Sequence, residues 1–120
     1  MKDFYRELLS SYRVKRHKDG FILYTDIMYF GADHTFSFFI KNSDGLLIIS
    51  DQGQTLSYLR ENADISKLQA KIADLLRRFG AVLDQGEIKA SLPSYESKQT
   101  IRCLHNYLFT VALIANIDLI

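Results

Sequence analysis

The chain has one cysteine, one proline and no tryptophan in 120 residues, and its charges nearly cancel, Lys+Arg 15 against Asp+Glu 14. A lone Cys103 cannot form an internal disulfide, so the fold has to rest on its own core. A net charge of +1 supplies no global field toward nucleic acid or an anionic membrane; attraction to either would need a local cluster. The N-terminal stretch lacks the basic and apolar regions of a secretion signal, and the expectation is a cytoplasmic protein. The longest apolar stretch, Tyr107 to Ile117, falls short of the roughly 20 residues a membrane helix needs and reads instead as a buried helix. No membrane association is expected. The length suits one α+β domain spanning residues 1–120, large enough to bury a core without a metal or cross-link.

What is present is organised around Asp44-Gly45 and the run from Leu46 to Leu56. Asp-Gly signals a turn, because Gly accepts positive φ, and the uninterrupted apolar run Leu46 to Ile49 suits an internal strand covered on both faces. Asp51 and Gly53 then break the strand period, with Thr55 placed to cap a helix from Leu56. Asp51, Gly53 and Thr55 are therefore read as a structural turn.

Upstream, Phe4, Tyr5, Leu8, Leu9 and Tyr12 form one apolar stripe, a short helix over residues 2 to 12. The basic segment Arg13 to Lys18, the Asp19-Gly20 turn and the aromatic and β-branched run Phe21 to Phe30 read as a hairpin. Strand alternation sends Arg13, Lys15 and His17 to one face and Arg16 and Lys18 to the other. That split argues for a solvated edge strand over a nucleic-acid contact by Arg13, Lys15 and Arg16. Thr35 to Lys41 alternates Phe36, Phe38 and Ile40 with Ser37, Phe39 and Lys41, the first set facing the core. Tyr24, Met28, Phe30 and Phe39 fall on the second sheet face, either as ordinary packing or as an aromatic patch for a partner.

Downstream, Ile65, Leu68, Ile72, Leu75, Leu76 and Phe79 keep helical spacing, with Arg77 and Arg78 against the negative end of the dipole and Gly80 to terminate. Val82 to Asp84 and Glu87 to Leu92 flank a Gln85-Gly86 turn as a small hairpin, and a final helix runs from about Tyr95 to Asn116. The expected fold is an antiparallel sheet of about four or five strands with about four helices, in the order α-β-β-β-β-α-α-β-β-α. In the final helix Ile101, Leu104, Leu108 and Val111 make one stripe, while Tyr107, Leu113, Ile114 and Ile117 point elsewhere. That second stripe is covered either within the chain or by a protein partner, a second copy included.

No catalytic, metal or cofactor site emerges. Asp84 with Glu87-Ile88-Lys89 is reminiscent of the acid, acid-x-lysine set of metal-dependent nucleases, but Asp84 and Glu87 flank a hairpin turn and Glu-x-Lys is a common tripeptide. Cys103 and His105 lie roughly 200° apart around a helix and cannot meet as nucleophile and base. His17, His34 and His105 sit on separate elements without partners at zinc spacing, and Gly53 alone before its helix is a weak anion signal.

From about Gly20 to Ile117 the order of elements resembles a domain-of-unknown-function family of prokaryotes and their prophages, marked by a strand and then a D-x-G-x-T-L turn. Here the strand is Leu46 to Ser50, and the turn is Asp51, Gly53, Thr55 and Leu56. The helix ending Arg77-Arg78-Phe79-Gly80, the Val82 to Ile88 hairpin and the long last helix extend the likeness. Gln52 stands where an acid is usual in that family, which weakens any metal role for the turn. The resemblance implies a bacterial or phage cytosolic α+β protein and carries over no catalytic residue. The functional expectation is a non-enzymatic protein-interaction module, an inhibitor of a host defence system being one form. The alternative is a nucleic-acid-associated protein or nuclease accessory.

Overall fold

Alternating apolar residues in Phe36, Phe38 and Ile40 and the run Leu47 to Ile49 build the centre of a sheet that decides where everything else lies. The computed structural model describes residues 12–28, 35–43, 46–93 and 97–117, with only the backbone described at 26–28, 62 and 97. The order is β1 Arg13–His17, β2 Gly20–Met28, β3 Thr35–Ser43, β4 Leu46–Ser50, α1 Gln54–Asn62, a 3-10 turn Ile65–Lys67, α2 Gln69–Arg78, β5 Val82–Asp84, β6 Glu87–Leu92 and α3 Ser97–Ala115. The strands form one antiparallel sheet in the order β1-β2-β3-β4-β6-β5.

The sheet has six strands where four or five were expected. The difference lies in the last hairpin, which does not stand apart: β6 zips onto the free side of β4, from Leu47 opposite Leu92 to Ser50 opposite Lys89. β4 is thus internal in strand order and basic β1 is an edge, but β4 is not covered on both faces as its apolar run implied: Leu47 and Ile49 are buried, while Leu46 is exposed and Ile48 half-buried. Three α-helices are described against about four expected, and the helix expected over residues 2 to 12 falls outside the described residues apart from Tyr12.

Two helix expectations change in detail. The segment Ile65 to Phe79 is broken at Leu68, because Asp64 caps a 3-10 turn, its Oδ1 accepting from the Ser66 amide at 3.2 Å and hydroxyl at 2.6 Å, before α2 begins. Local side-chain capping competes with helix continuation there. At the other end Gly80, at φ 72°, closes α2 with the Ala81 amide on the Leu76 carbonyl at 2.9 Å, a Schellman ending.

Leu23, Phe38, Ile40, Ile49, Ile88 and Leu92 are wholly buried on one face of the sheet. The helices meet that face. Tyr58 of α1 stands edge-on to Phe36, and Tyr107 of α3 edge-on to Phe38 at 5.5 Å. Each large side chain removed from water here contributes roughly 1.5–3 kcal/mol. α3 is tied at its start by the Thr100 hydroxyl, which donates to the Pro93 carbonyl.

Candidate functional site

The turn after β4 is built by one buried carboxylate. Asp51 has no exposed surface, and its Oδ1 accepts from the Gly53 amide and the Ile88 amide, each at 2.9 Å, while Oδ2 accepts from the Thr55 amide at 3.2 Å. Thr55 is therefore not the helix cap. The cap position is Gly53, at φ 82°, and Asp51 reaches forward to satisfy the first-turn N–H groups, so α1 starts at Gln54 rather than Leu56. A carboxylate at a helix N-terminus is also favoured by the dipole. Ile88 is held three ways: its carbonyl accepts from the Asp51 amide at 3.3 Å and from the Tyr107 hydroxyl at 2.6 Å, and its amide donates to Asp51. One residue of β6 thus fastens the turn after β4 and α3 together. Beside it the Ser50 hydroxyl donates to Glu87 Oε1 at 2.5 Å and accepts from the Gln52 amide at 2.9 Å. The Asp51 carboxylate and the Ser50 hydroxyl are thus both engaged within the fold.

The nuclease-like set is brought together only in part. Asp84 and Glu87 are cross-strand partners, so they share a face. Their oxygens are committed separately, Asp84 Oδ2 to Lys89 Nζ at 2.9 Å and Glu87 to Ser50. The bond to Asp84 holds the Lys89 ammonium above its ordinary value, which keeps it a cation rather than a base. Among the described residues no three His, Cys, Asp or Glu side chains converge to hold a metal. Cys103 is half-buried against the core, and His105 is exposed beside the Tyr12 ring at 6.2 Å.

The opposite face of the sheet is different in character. The cross-strand register places Lys15, Ile22, Phe39, Ser50 and Lys89 in one row, with Arg13, Tyr24 and Ser37 on one side of it and Lys41 with Ile48 on the other. Ile22, Tyr24, Phe39 and Ile48 are half-buried, while Arg13, Lys15, His17 and Lys41 are exposed around them. The Arg13 guanidinium lies 4.7 Å from the centre of the Tyr24 ring, and His17 meets Phe39 edge-on at 5.2 Å. Alternation does split the β1 charges, and Arg16 falls on the other face. Yet Lys41 and Lys89 arrive from distant strands to restore a basic rim, which no local reading of Arg13 to Lys18 could reveal. Of the aromatic patch expected here, Tyr24 and Phe39 are in place; the Met28 side chain and Phe30 lie outside the described residues.

The second stripe of α3 is covered within the chain. Tyr107, Ile114 and Ile117 are buried, and Leu113 is half-exposed at an open cleft of about 290 Å³ that it shares with Ile117, Leu75, Lys71 and Asp74 of α2. The exposed apolar residue of α3 is instead Phe109, 55% exposed and edge-on to Phe79 at 6.0 Å. Its only sequence signal is the all-round apolarity of the segment. Among the described residues no helix is long and apolar enough to cross a membrane.

Comparison with protein-family models, curated proteins and solved structures finds no match to this chain.

Proposed function

We propose that the protein is a non-enzymatic interaction module that binds another protein through the face of its sheet that no described helix covers. The observation that carries this reading is the apolar ground of Ile22, Tyr24, Phe39 and Ile48, which no described helix covers although helices line the other face. An apolar centre within a charged rim is the common anatomy of a protein interface. Asp51, Glu87 and Asp84, the acids that the sequence offered at this turn and hairpin, are each held by a hydrogen bond or ion pair within the fold. The likeness to the prokaryotic and prophage D-x-G-x-T-L family directs the search for a partner to cytoplasmic proteins of bacteria and phages, components of defence systems among them. Tyr107 and Ile114, two residues of the α3 stripe offered for self-association, are buried within the chain.

The test is affinity capture from a bacterial lysate with the parent and with Phe39→Asp, both checked for an unchanged melt. A protein retained by the parent and absent with Phe39→Asp supports the reading; equal retention by both contradicts it. A second reading, a nucleic-acid-associated protein, is favoured by one feature: Arg13 and Lys15 share a face with Tyr24 and Phe39, bases beside rings. Binding of single-stranded oligonucleotide that weakens steeply with salt would favour it.

A further inference from the structure

The sheet face that no described helix covers has a charge pattern that selects among partners. Five basic side chains border it, Arg13, Lys15 and His17 from β1, Lys41 from β3 and Lys89 from β6, although the chain as a whole is almost neutral. Among the described residues no carboxylate forms an ion pair with Arg13, Lys15, His17 or Lys41; the paired cation is Lys89, with Asp84 at the far edge. Lys89 is matched there by Asp84 and by Glu87 on the same face, so the positive field is local to Arg13, Lys15 and Lys41 on the β1 side, where it is electrostatically complementary to an acidic, partly apolar ligand.

Resting on the interaction-module reading, we infer that the partner presents an acidic polypeptide segment whose apolar side chains pack on Ile22, Phe39 and Ile48 while its carboxylates pair with Lys15, Lys41 and Arg13. Geometry sets its length. Lys15 on β1 and Ile48 on β4 stand three strand spacings apart, roughly 14 Å, which an extended peptide of about four to five residues spans. Two features favour polypeptide over single-stranded nucleic acid. Arg13 already lies on the Tyr24 ring and His17 against the edge of Phe39, so a nucleobase has to displace a base residue to stack. Half of the apolar ground is Ile22 and Ile48, which offer packing to aliphatic side chains but no ring for a nucleobase.

The test is a displayed library of random dodecapeptides panned on the intact protein at near-physiological salt, with an oligothymidylate probe measured in parallel. Enriched peptides should carry an excess of Asp and Glu interleaved with apolar residues. Their Kd should rise about tenfold or more with Lys15→Glu plus Lys41→Glu, and also with the milder Lys15→Ala plus Lys41→Ala, while Phe109→Ala leaves it unchanged. Lys15 and Lys41 are exposed, and matching melts confirm that these variants fold. Failure to enrich acidic peptides, or peptides that keep their affinity for both lysine pairs, overturns the inference. If the enriched peptides instead lose affinity with Phe109→Ala, the acidic partner is wrong while an interaction module stands. Submicromolar oligothymidylate binding lost with the lysine pairs overturns both.

Discussion

Asp51 ties the start of α1 to β6 through one buried side chain. Its carboxylate serves three amides, at the start of α1 and on β6, and removing it leaves the buried Ile88 N–H without its acceptor. Asp51→Ala should therefore lower stability by on the order of 3 kcal/mol, and Asp51→Asn, which keeps one acceptor oxygen, by less. Urea denaturation gives both values; an unchanged midpoint for Asp51→Ala would show that the turn does not depend on the carboxylate. Gly53 tests a separate cause. A Cβ there meets nothing closer than the Gly86 carbonyl oxygen at 3.6 Å, so space is not the obstacle; φ of 82° is. Gly53→Val should cost on the order of 1 to 3 kcal/mol through backbone strain, and a parental melting temperature would refute the left-handed assignment. The Asp51-x-Gly53 signature was legible because glycine and a short acid announce a turn. The tie from Asp51 to β6 was not, because that partner, Ile88, is 37 residues away.

At the scale of elements, α3 shows how far periodicity carries. The all-round apolarity of Tyr107 to Ile117 signalled burial, but which neighbour covers each stripe depends on where α1, α2 and the sheet lie. Tyr107 goes to β3 and β6, Ile114 and Ile117 are buried by the chain's own packing, and Phe109 is left in solvent against Phe79. Ile114→Glu should accordingly destabilise by about 3 kcal/mol or more, since it buries a charge without a partner. Leu113→Glu, at the half-exposed cleft, should cost under about 1 kcal/mol and leave the sedimenting mass as in the parent. Thermal melts and sedimentation velocity check the pair; a mass that falls on Leu113→Glu would revive an α3 interface. Strand types and the meander β1 to β4 were readable from period-two patterns and turn pairs. The joining of β6 to β4 was not, because that pairing closes a loop through two helices and carries no local mark.

For the whole molecule, the sheet has one face packed by helices and one face that combines half-buried apolar residues with a basic rim. Sequence placed Tyr24 and Phe39 on the second face but dispersed the charge, since only the assembled register brings Lys41 and Lys89 beside Arg13 and Lys15. The central claim is that this face, and not the Phe79 and Phe109 patch, meets the partner. The most direct measurement replaces Phe39, or in a parallel strain Phe109, with photoreactive p-benzoylphenylalanine and irradiates living bacteria that express the protein. The account expects a discrete covalent adduct from position 39 and none from position 109; an adduct from position 109 alone would contradict it.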